Sequence, residues 1–384
     1  MVVGIYSDPL IATTGFGHQA RLLAEGLQQL GHTVWAVGVW DPPDRSPITT
    51  TVYQVPGSGW DVVCHQTADV LIAITDDYKL TEAVYYTPPG IRHLVKWSFY
   101  DGVPAPLYWV PLWHLFRTVV ASPFGQRVIH SRMPDVTVPV IPAALETTLF
   151  RPPSEAERRD AQRRLLGETV PYCIGFVNRG HPRKAAAAFF DVAALVVKKL
   201  PDVRFLLRLP MEDGMAAQLD YLDLVDQAQL WGRVHWINGL RPEVGVPPET
   251  LRSIYWATDA LAHPAKSEGF GLTPCEARLC GRPVACGNYS AMADWASPDE
   301  LIPMAAMVHE GDNIVQGIVD VKAMAKKMIG WADPARRRLA ARSAEQRVRH
   351  LTVDRMVRAW DAYIQTLPDP DPIPWMRVEA LQWY

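Results

Sequence analysis

The stretch HPAKSEGFGLTPCEARLCGRPVAC, residues 263–286, joins a predicted strand to a predicted helix through a turn spaced by glycines. Thr273 can cap the start of this helix, and Gly281 lies just past its end. Two carboxylates flank the turn, with Glu268 before it and Glu276 in the first helical turn. A strand, a tight turn and a helix in this order form half of a βαβ unit, so the stretch predicts a parallel α/β sheet.

The same alternation of short apolar runs and helical patterns extends along most of the chain. Strands are predicted at 2–7, 33–40, 69–74, 94–100, 117–122 and 136–142, and again at 171–177, 203–209, 233–239 and 259–264. Strands punctuated by helices favour parallel βαβ units. We therefore expect two α/β halves in one chain.

The length of the chain, 384 residues, exceeds what one hydrophobic core usually supports, which favours two domains. A charged, proline-led segment at 151–168 interrupts the apolar rhythm and is interpreted as the boundary. The predicted domains are 1–150 and 165–366.

The composition, with 48% hydrophobic and 21% charged residues, is that of an ordinary globular protein and excludes a disordered or fibrous one. The net charge of −3 argues against a surface built as a whole to hold nucleic acid. The sequence contains no apolar run of the ~20 residues that span a bilayer and no evident signal peptide, so a cytoplasmic location is expected. The five cysteines form no C-x-x-C pair and are interpreted as buried thiols.

The start of the helix after Gly271 is a candidate anion site. Its first backbone N–H groups lack acceptors within the helix, and Gly269 lets the chain approach a ligand closely. Glu276 has an alternative role, because Thr-x-x-Glu is a capping box. Glu268 lies before the turn and has no capping role, although it could be a plain surface charge.

Three cations, Arg179, Arg183 and Lys184, gather between a predicted strand and the start of an alanine-rich helix. Cations at this end of a helix are disfavoured by ~0.3–1 kcal/mol each, which indicates an anionic ligand. The alternative is a set of exposed charges screened by salt.

Gly15, Gly17 and Ala20 form a G-x-G-x-x-A pattern, and Asp41 follows about twenty residues later, as in a dinucleotide fingerprint. This pattern keeps a nicotinamide-dependent oxidoreductase open as an alternative. The segment DPLIATT separates the glycines from the preceding strand, whereas the fingerprint needs an immediate turn. A loop of this length favours a substrate cleft.

The segment 267–286 resembles the Glu-x7-Glu signature of family 4 glycosyltransferases, through SEGFGLTPCEA followed by GRPVAC. These are retaining enzymes of the GT-B fold. The glycine loop, ASPFGQRVI at 121–129, IPAALETTLFRP at 141–152 and the Arg-x4-Lys spacing follow in the family's order. The resemblance covers most of residues 1–300. It implies two Rossmann-like domains facing an interdomain cleft, with residues 367–384 crossing back to the N-terminal domain.

The resemblance also implies a site for a nucleoside-diphosphate sugar such as a UDP-sugar. Arg179 and Lys184 would grip the diphosphate, Glu276 would bind the ribose hydroxyls, and Glu268 would contact the transferred sugar. The full set implied for the donor is Gly15, Phe16, Gly17, Arg179, Lys184, Asn238, Leu240, Glu268, Gly269, Phe270, Gly271, Leu272, Thr273 and Glu276.

The sequence departs from the family at Asp101, which stands where many relatives have a histidine near the reacting carbon. Asp101 is predicted to orient a hydroxyl, and a turn residue is the alternative, because Asp-Gly is common in turns. The predicted catalytic set is Glu268, Arg179, Lys184 and Asp101.

No cofactor or metal is expected, because fixed cations and amides would stabilise the departing diphosphate. Consistently, the Asp-x-Asp at 369–371 lies in a proline-rich tail. The resemblance implies an acceptor hydroxyl, on a small molecule, a glycan or a protein. Aromatic residues concentrated at 97–116 also keep a hydroxylated base in DNA open, since aromatic faces stack on sugars and bases alike. A sugar-nucleotide binder without turnover is a further alternative.

Overall fold

The computed structural model describes residues 1–12, 14–39, 51–54, 59–209, 220–237, 246–311 and 314–368. The chain forms two compact units. The first runs from Met1 to Ala144 and resumes at Val353, and the second holds most of the chain between Leu145 and Thr352.

The first unit is built on a parallel sheet. Its strands are β1 (Val2–Ser7), β2 (Thr33–Gly38), β3 (Thr51–Gln54), β4 (Ala68–Ile74), β5 (Ile91–Ser98) and β6 (Arg117–Val120). They lie in the order β3-β2-β1-β4-β5-β6, and each neighbouring pair is parallel. Helices cover the sheet at α1 (Gly15–Gln29), α2 (Trp60–Cys64), α3 (Thr81–Tyr85), α4 (Val110–Leu115) and α5 (Pro123–His130). Because both faces are covered, strands such as β1 and β4 are nearly continuous apolar runs.

The second unit repeats this architecture. Its six-stranded sheet contains β7 (Cys173–Val177), β8 (Arg204–Arg208), β9 (Val234–Trp236), β10 (Ala260–His263), β11 (Val284–Gly287) and β12 (Leu301–Ile302). The order β12-β11-β10-β7-β8-β9 is the same winding as in the first unit, and the strand pairs are parallel. The two strands β13 (Met304–Glu310) and β14 (Ile314–Val319) form a separate small sheet.

The helices of this unit are α6 (Glu155–Leu166), α7 (Ala186–Val197), α8 (Tyr221–Gln227), α9 (Pro248–Ala257), α10 (Leu272–Leu279), α11 (Ser290–Trp295), α12 (Val321–Gly330) and α13 (Pro334–Val348). Among the helices of the described residues, none has the length and apolar character needed to cross a membrane.

The structure divides the chain at other points than the predicted boundaries of 1–150 and 165–366. The segment 151–168 is largely the helix α6, which a Ser154 capping box starts and which packs into the second unit through its buried Gln162. Its charges lie on the outer side of an ordered helix, so they are not the mark of a linker. The change of unit falls between Ala144 and Leu145.

The return to the first unit also comes earlier than the predicted position 367. The helix α14 (Val353–Gln365) belongs to the first unit, because its Val357 and Trp360 pack there on Gly26 of α1 and on Trp97 of β5. Residues 369–384 lie outside the described residues.

The strand predicted over 136–142 is wrong. Val140 makes only an isolated bridge to Val120. Pro139 and Pro142 lack the amide hydrogens that a longer ladder would need.

Candidate active site

In the second unit, the candidate site lies at the carboxyl ends of β7 and β10. These strands are neighbours although β8 and β9 separate them along the chain, so the strand order reverses here. Asn178 directly follows β7, and His263 is the last residue of β10. Ligands of open α/β sheets bind at such a switch point.

The carboxylate of Glu268 is buried at this switch point and accepts three hydrogen bonds. Its Oε1 accepts from Lys184 Nζ and, at 2.9 Å, from His263 Nε2, and its Oε2 accepts from Arg183 Nη1 at 3.1 Å. Burial favours the neutral acid, but Lys184, Arg183 and the His263 hydrogen bond hold the pKa of Glu268 well below its ordinary value. Glu268 is therefore an anion at neutral pH.

The backbone of Glu268 is fixed at the start of α11. The N–H of Glu268 donates to Ser290 Oγ at 2.9 Å, and its carbonyl accepts from the N–H of Ala291 at 3.2 Å. Ser290 is buried with a φ of 58°, which is unusual for a residue other than glycine. Backbone and side chain of Glu268 are thus both held.

Arg183 and Lys184 reach Glu268 from a short 3₁₀ helix at Pro182–Lys184. His181 Nδ1 accepts from the N–H of Arg183 at 3.1 Å, and Arg183 Nη1 also donates to the carbonyl of Ser267 at 2.6 Å. The structure therefore brings the predicted residues Lys184 and Glu268 together.

Arg179, the other predicted diphosphate ligand, is exposed and makes no ion pair with any residue that the structure describes. The cation beside Lys184 at Glu268 is Arg183, which the sequence grouped with the other two but did not assign to the donor. Its position directly before Lys184 in one tight turn is the signal that could have identified it.

The predicted N-cap at Thr273 is wrong, because α10 begins at Leu272 and its cap is Gly271, with a φ of 87°. Glycine adopts this left-handed conformation without strain, so the chain turns there and Thr273 is already helical. The Thr273 capping box does not form. Glu276 Oε2 instead accepts a hydrogen bond from the Tyr255 hydroxyl at 2.8 Å.

Burial raises the pKa of Glu276 to about 7, with Glu146 adding to the effect and the Tyr255 hydrogen bond opposing it. Near neutral pH, the Glu276 carboxyl group therefore exists in both protonation states. It can accept or donate a hydrogen bond, which suits recognition of hydroxyl groups.

In the first unit, the predicted glycine loop starts α1. Thr14 caps the helix, since its Oγ1 accepts from the N–H of Gly17 at 3.1 Å. A Cβ at residue 17 would lie 2.4 Å from the carbonyl oxygen of Pro9, so only glycine fits.

Phe16 of this loop contacts Phe99, directly after β5, with ring centroids 5.4 Å apart. Asp101 follows two residues later and is half-buried. The structure thus brings the loop Gly15–Gly17 close to the segment that carries Asp101.

A group of carboxylates that no sequence motif indicated lies around the ends of β1 and β4. Burial raises the pKa of Asp76 to about 6 against the opposing charge of Lys79, and Asp101, Asp77 and Asp8 add to the rise. Asp8 and Asp76 each follow a strand closely, so the strand order would have predicted that they meet.

Asp77 is the centre of a buried network in the same region. It pairs with Lys96 Nζ and accepts from the Tyr100 hydroxyl at 3.1 Å and from Trp113 Nε1 at 3.3 Å. Tyr100 and Trp113, two of the aromatic residues concentrated at 97–116, are therefore part of this core.

Four predictions fall on parts of the chain outside the described residues. These are the donor contacts of Asn238 and Leu240, the role of Asp41 in a dinucleotide fingerprint, and the position of the Asp-x-Asp at 369–371.

Solved glycosyltransferases of the GT-B fold resemble this chain over nearly its whole length. HepE from Anabaena, in complex with UDP and glucose, matches with a TM-score of 0.74 and 14% identity, over 96% of this chain and 100% of that one. Sucrose-phosphate synthase from Thermosynechococcus elongatus matches with a TM-score of 0.72 and 18% identity, over 95% and 98%. These likenesses show the fold, which is the predicted GT-B fold.

Sequence comparisons match a known family over most of the second unit. Residues 158–327 match the family described as Glycosyl transferases group 1. The D-inositol 3-phosphate glycosyltransferase of Mycobacterium sp. (strain JLS) is 33% identical over 159 residues, which are 40% of this chain and 33% of that protein. The chain thus spans about a third of the curated relatives that it matches. The match over residues 158–327 and these relatives confirm the resemblance to family 4 glycosyltransferases.

Proposed function

We propose that this protein transfers a sugar from a nucleoside diphosphate to a hydroxyl acceptor, with retention of configuration and without a metal ion. The observation that carries the proposal is the pairing of Arg183 and Lys184 with the buried Glu268 beside the glycine turn that starts α10. A diphosphate and a polyhydroxylated sugar are the groups that such a set of cations, amides and carboxylate suits.

The charges fit a departing diphosphate. Breaking a glycosyl phosphate develops negative charge on the leaving group, and fixed cations aimed at the phosphates lower the barrier. Arg183 and Lys184 carry two positive charges against the single negative charge of Glu268. The remaining positive charge, together with the N–H groups at the start of α10, would stabilise the diphosphate without a metal ion.

The two carboxyl groups would recognise hydroxyls. Glu268 lies beside the cations and would contact the sugar, while Glu276, one turn into α10, would bind the ribose. HepE was solved with UDP and glucose, which supports UDP-sugars as the first donors to test. Retention would follow from attack on the same face of the sugar, as in family 4.

The acceptor would bind to the first unit, where Asp101 lies two residues beyond Phe99, the ring that Phe16 of the glycine loop contacts, and interacts electrostatically with Asp76. These carboxyl groups suit hydroxyl-bearing acceptors such as small molecules, glycans, proteins or hydroxylated bases in DNA. The acidic surroundings favour neutral or cationic acceptors over phosphorylated ones. A cytoplasmic location stays a prediction.

The alternative function, a nicotinamide-dependent oxidoreductase, would give no role to Glu268, Arg183, Lys184 and Glu276. Thermal shifts with UDP, GDP, ADP and NAD separate the two classes, since a ligand at 100 times its Kd stabilises by about 2.7 kcal/mol. Stabilisation by a nucleoside diphosphate supports the transferase, and stabilisation by NAD alone contradicts it.

To test turnover, the protein is incubated in EDTA with sugar nucleotides and a panel of acceptors that includes hydroxymethylated DNA. The products are then identified by mass spectrometry. We expect transfer or donor hydrolysis by the wild type and its loss in Lys184→Ala. Binding without turnover would favour the non-catalytic binder, and a strict need for Mg²⁺ or Mn²⁺ would contradict the metal-free mechanism. Arg179→Ala tests the prediction from the sequence that the exposed Arg179 also binds the donor diphosphate.

A further inference from the structure

Three buried side chains form a hydrogen-bonded chain across the switch point of the second unit. Asn178 Nδ2 lies 3.4 Å from His263 Nδ1, and His263 Nε2 lies 2.9 Å from Glu268 Oε1. Asn178 is 6% exposed and His263 is 1% exposed, so water does not compete for these contacts. The contacts join the ends of β7 and β10, two strands brought together only by the sheet order.

The donors and acceptors of this chain fit one form of the imidazole. The ionised Glu268 carboxylate can only accept, so the hydrogen must be on His263 Nε2. The Nδ1 of a neutral ring then carries a lone pair, which accepts from the amide group of Asn178. A single tautomer therefore satisfies both ends of the ring.

We propose that Asn178 and His263 are positioning residues for Glu268. Asn178 selects the Nε2–H tautomer of His263, and His263 holds the Glu268 carboxylate when Lys184 and Arg183 turn to the donor diphosphate. His263 suits this role because a neutral donor has no charge for the diphosphate to attract. This inference rests on the proposed function, in which Glu268 contacts the sugar.

The surroundings keep the ring neutral. Burial lowers the pKa of His263, Lys184 and Arg278 lower it further, and Glu268 opposes them. Arg278 is itself paired with Glu300. At neutral pH His263 is therefore an uncharged donor, and its hydrogen bond to Glu268 should persist as pH rises.

Two substitutions of His263 separate the hydrogen bond from simple packing. His263→Gln keeps an amide N–H donor that can reach Glu268, whereas His263→Leu fills similar space without one. We expect His263→Leu to lower kcat roughly 10-fold or more and His263→Gln to stay within about 3-fold of wild type. Donor KM should change less than kcat, because Lys184 and Arg183 remain. Equal kcat values in His263→Leu and wild type would overturn the inference.

Asn178→Asp tests the tautomer directly. An aspartate at 178 can only accept, so His263 must carry hydrogens on both nitrogens to keep its bond to Glu268. The added carboxylate raises the pKa of His263, and activity should fall as pH rises through that value. The wild type should lack this alkaline loss. A purely structural role would give the variant the same pH profile as wild type, which would contradict the proposal.

A measurement on the full chain that does not depend on turnover completes the test. Nitrogen-15 NMR of labelled histidines, with His263 assigned by its absence in His263→Gln, should show a neutral Nε2–H ring at pH 7. An Nδ1–H ring or an imidazolium would overturn the inference. If no sugar nucleotide binds or reacts, the proposed function fails, and the NMR result still decides the tautomer. If His263→Leu does not fold, Asn178→Asp and the NMR spectrum decide.

Discussion

Two residues with a strained backbone lie at the candidate active site. Ala185, directly after Lys184, has a φ of 51°, and Ser290, which binds the amide of Glu268, has a φ of 58°. Residues other than glycine rarely adopt this conformation unless the surrounding structure imposes it, and such residues cluster at functional sites. Both strained residues therefore help to position the cations and the carboxylate.

Ala185→Gly should relieve strain at the junction between the basic turn and α7. The left-handed conformation costs roughly 1–2 kcal/mol for a residue with a Cβ, and the greater freedom of unfolded glycine offsets part of the gain. We expect the free energy of unfolding in urea to rise by up to about 1 kcal/mol. Ala188→Gly, inside α7, is the matched control and should lower it by about 0.5–1 kcal/mol. Equal decreases in the free energy of unfolding of the two variants would show that the backbone of Ala185 is not strained.

Glu268→Gln should make the free energy of unfolding depend less on pH in the acid range. The folded-state pKa of Glu268 is depressed, so its ion pairs stabilise the protein above the unfolded pKa and are lost as pH falls through the folded value. We expect the variant to be less stable than wild type by about 2 kcal/mol at pH 7, because Arg183 and Lys184 lose their partner. The gap should narrow below about pH 4.

Urea unfolding at pH 7 and at lower pH values measures this difference. Asp160→Asn is a surface control, since Asp160 forms an exposed ion pair with Arg164 within α6, and it should change stability little. A gap for Glu268→Gln that is constant with pH would show that the carboxylate charge does not stabilise the fold.

At the scale of elements, α10 is anchored behind the site by a fully buried ion pair. Arg278 Nε lies 3.1 Å from both carboxylate oxygens of Glu300, and both side chains are 0% exposed. Glu300 Oε1 also accepts from the N–H of Val284 in β11 at 2.7 Å. This pair ties the helix that carries Glu276 to the neighbouring strand.

Removing both partners of this pair should cost less than the sum of the two single removals. Arg278→Met leaves the Glu300 carboxylate unpaired in the core and should cost about 3–5 kcal/mol in the free energy of unfolding. The double variant Arg278→Met with Glu300→Gln should cost clearly less than the sum of the single changes. A double-mutant cycle in urea measures the coupling, and additive costs would contradict it.

At the scale of the whole molecule, α14 completes the first unit. Trp360 is 0% exposed, and its ring lies 5.4 Å from that of Trp97. Trp360→Ala should destabilise the protein by about 3–5 kcal/mol through the cavity that it leaves. Arg358→Ala, whose side chain is 68% exposed on the same helix, should stay within about 0.5 kcal/mol. Thermal unfolding of both variants compares the two effects, and similar losses would show that α14 is not part of this core.

The fold could be predicted because it depends on a pattern that repeats along the chain. Apolar runs separated by helical periodicity define parallel βαβ units, and both sheets have this form. Domain limits were harder to predict, because α6 and α14 are polar or amphipathic helices whose partner surface depends on tertiary packing.

The candidate site could be predicted in part. Glu268 and Lys184 were identified from motifs that lie within single loops. Asn178 and His263 were missed because they meet across 85 residues of chain, and only the strand order brings them together. That Arg183, and not Arg179, pairs with Glu268 depends on the direction of side chains in one turn, which spacing does not determine.

Because the chain leaves the first unit at Ala144 and returns at Val353, the second unit is an insertion within the first. During synthesis, residues 145–352 emerge before α14 and can form their core first. Until α14 emerges, Gly26 and Trp97 lack their packing partners Val357 and Trp360. The first unit is therefore the first to be synthesised in part and the last to complete its core. A nascent chain halted before Val353 would expose the apolar surface formed by Gly26 and Trp97 to chaperones.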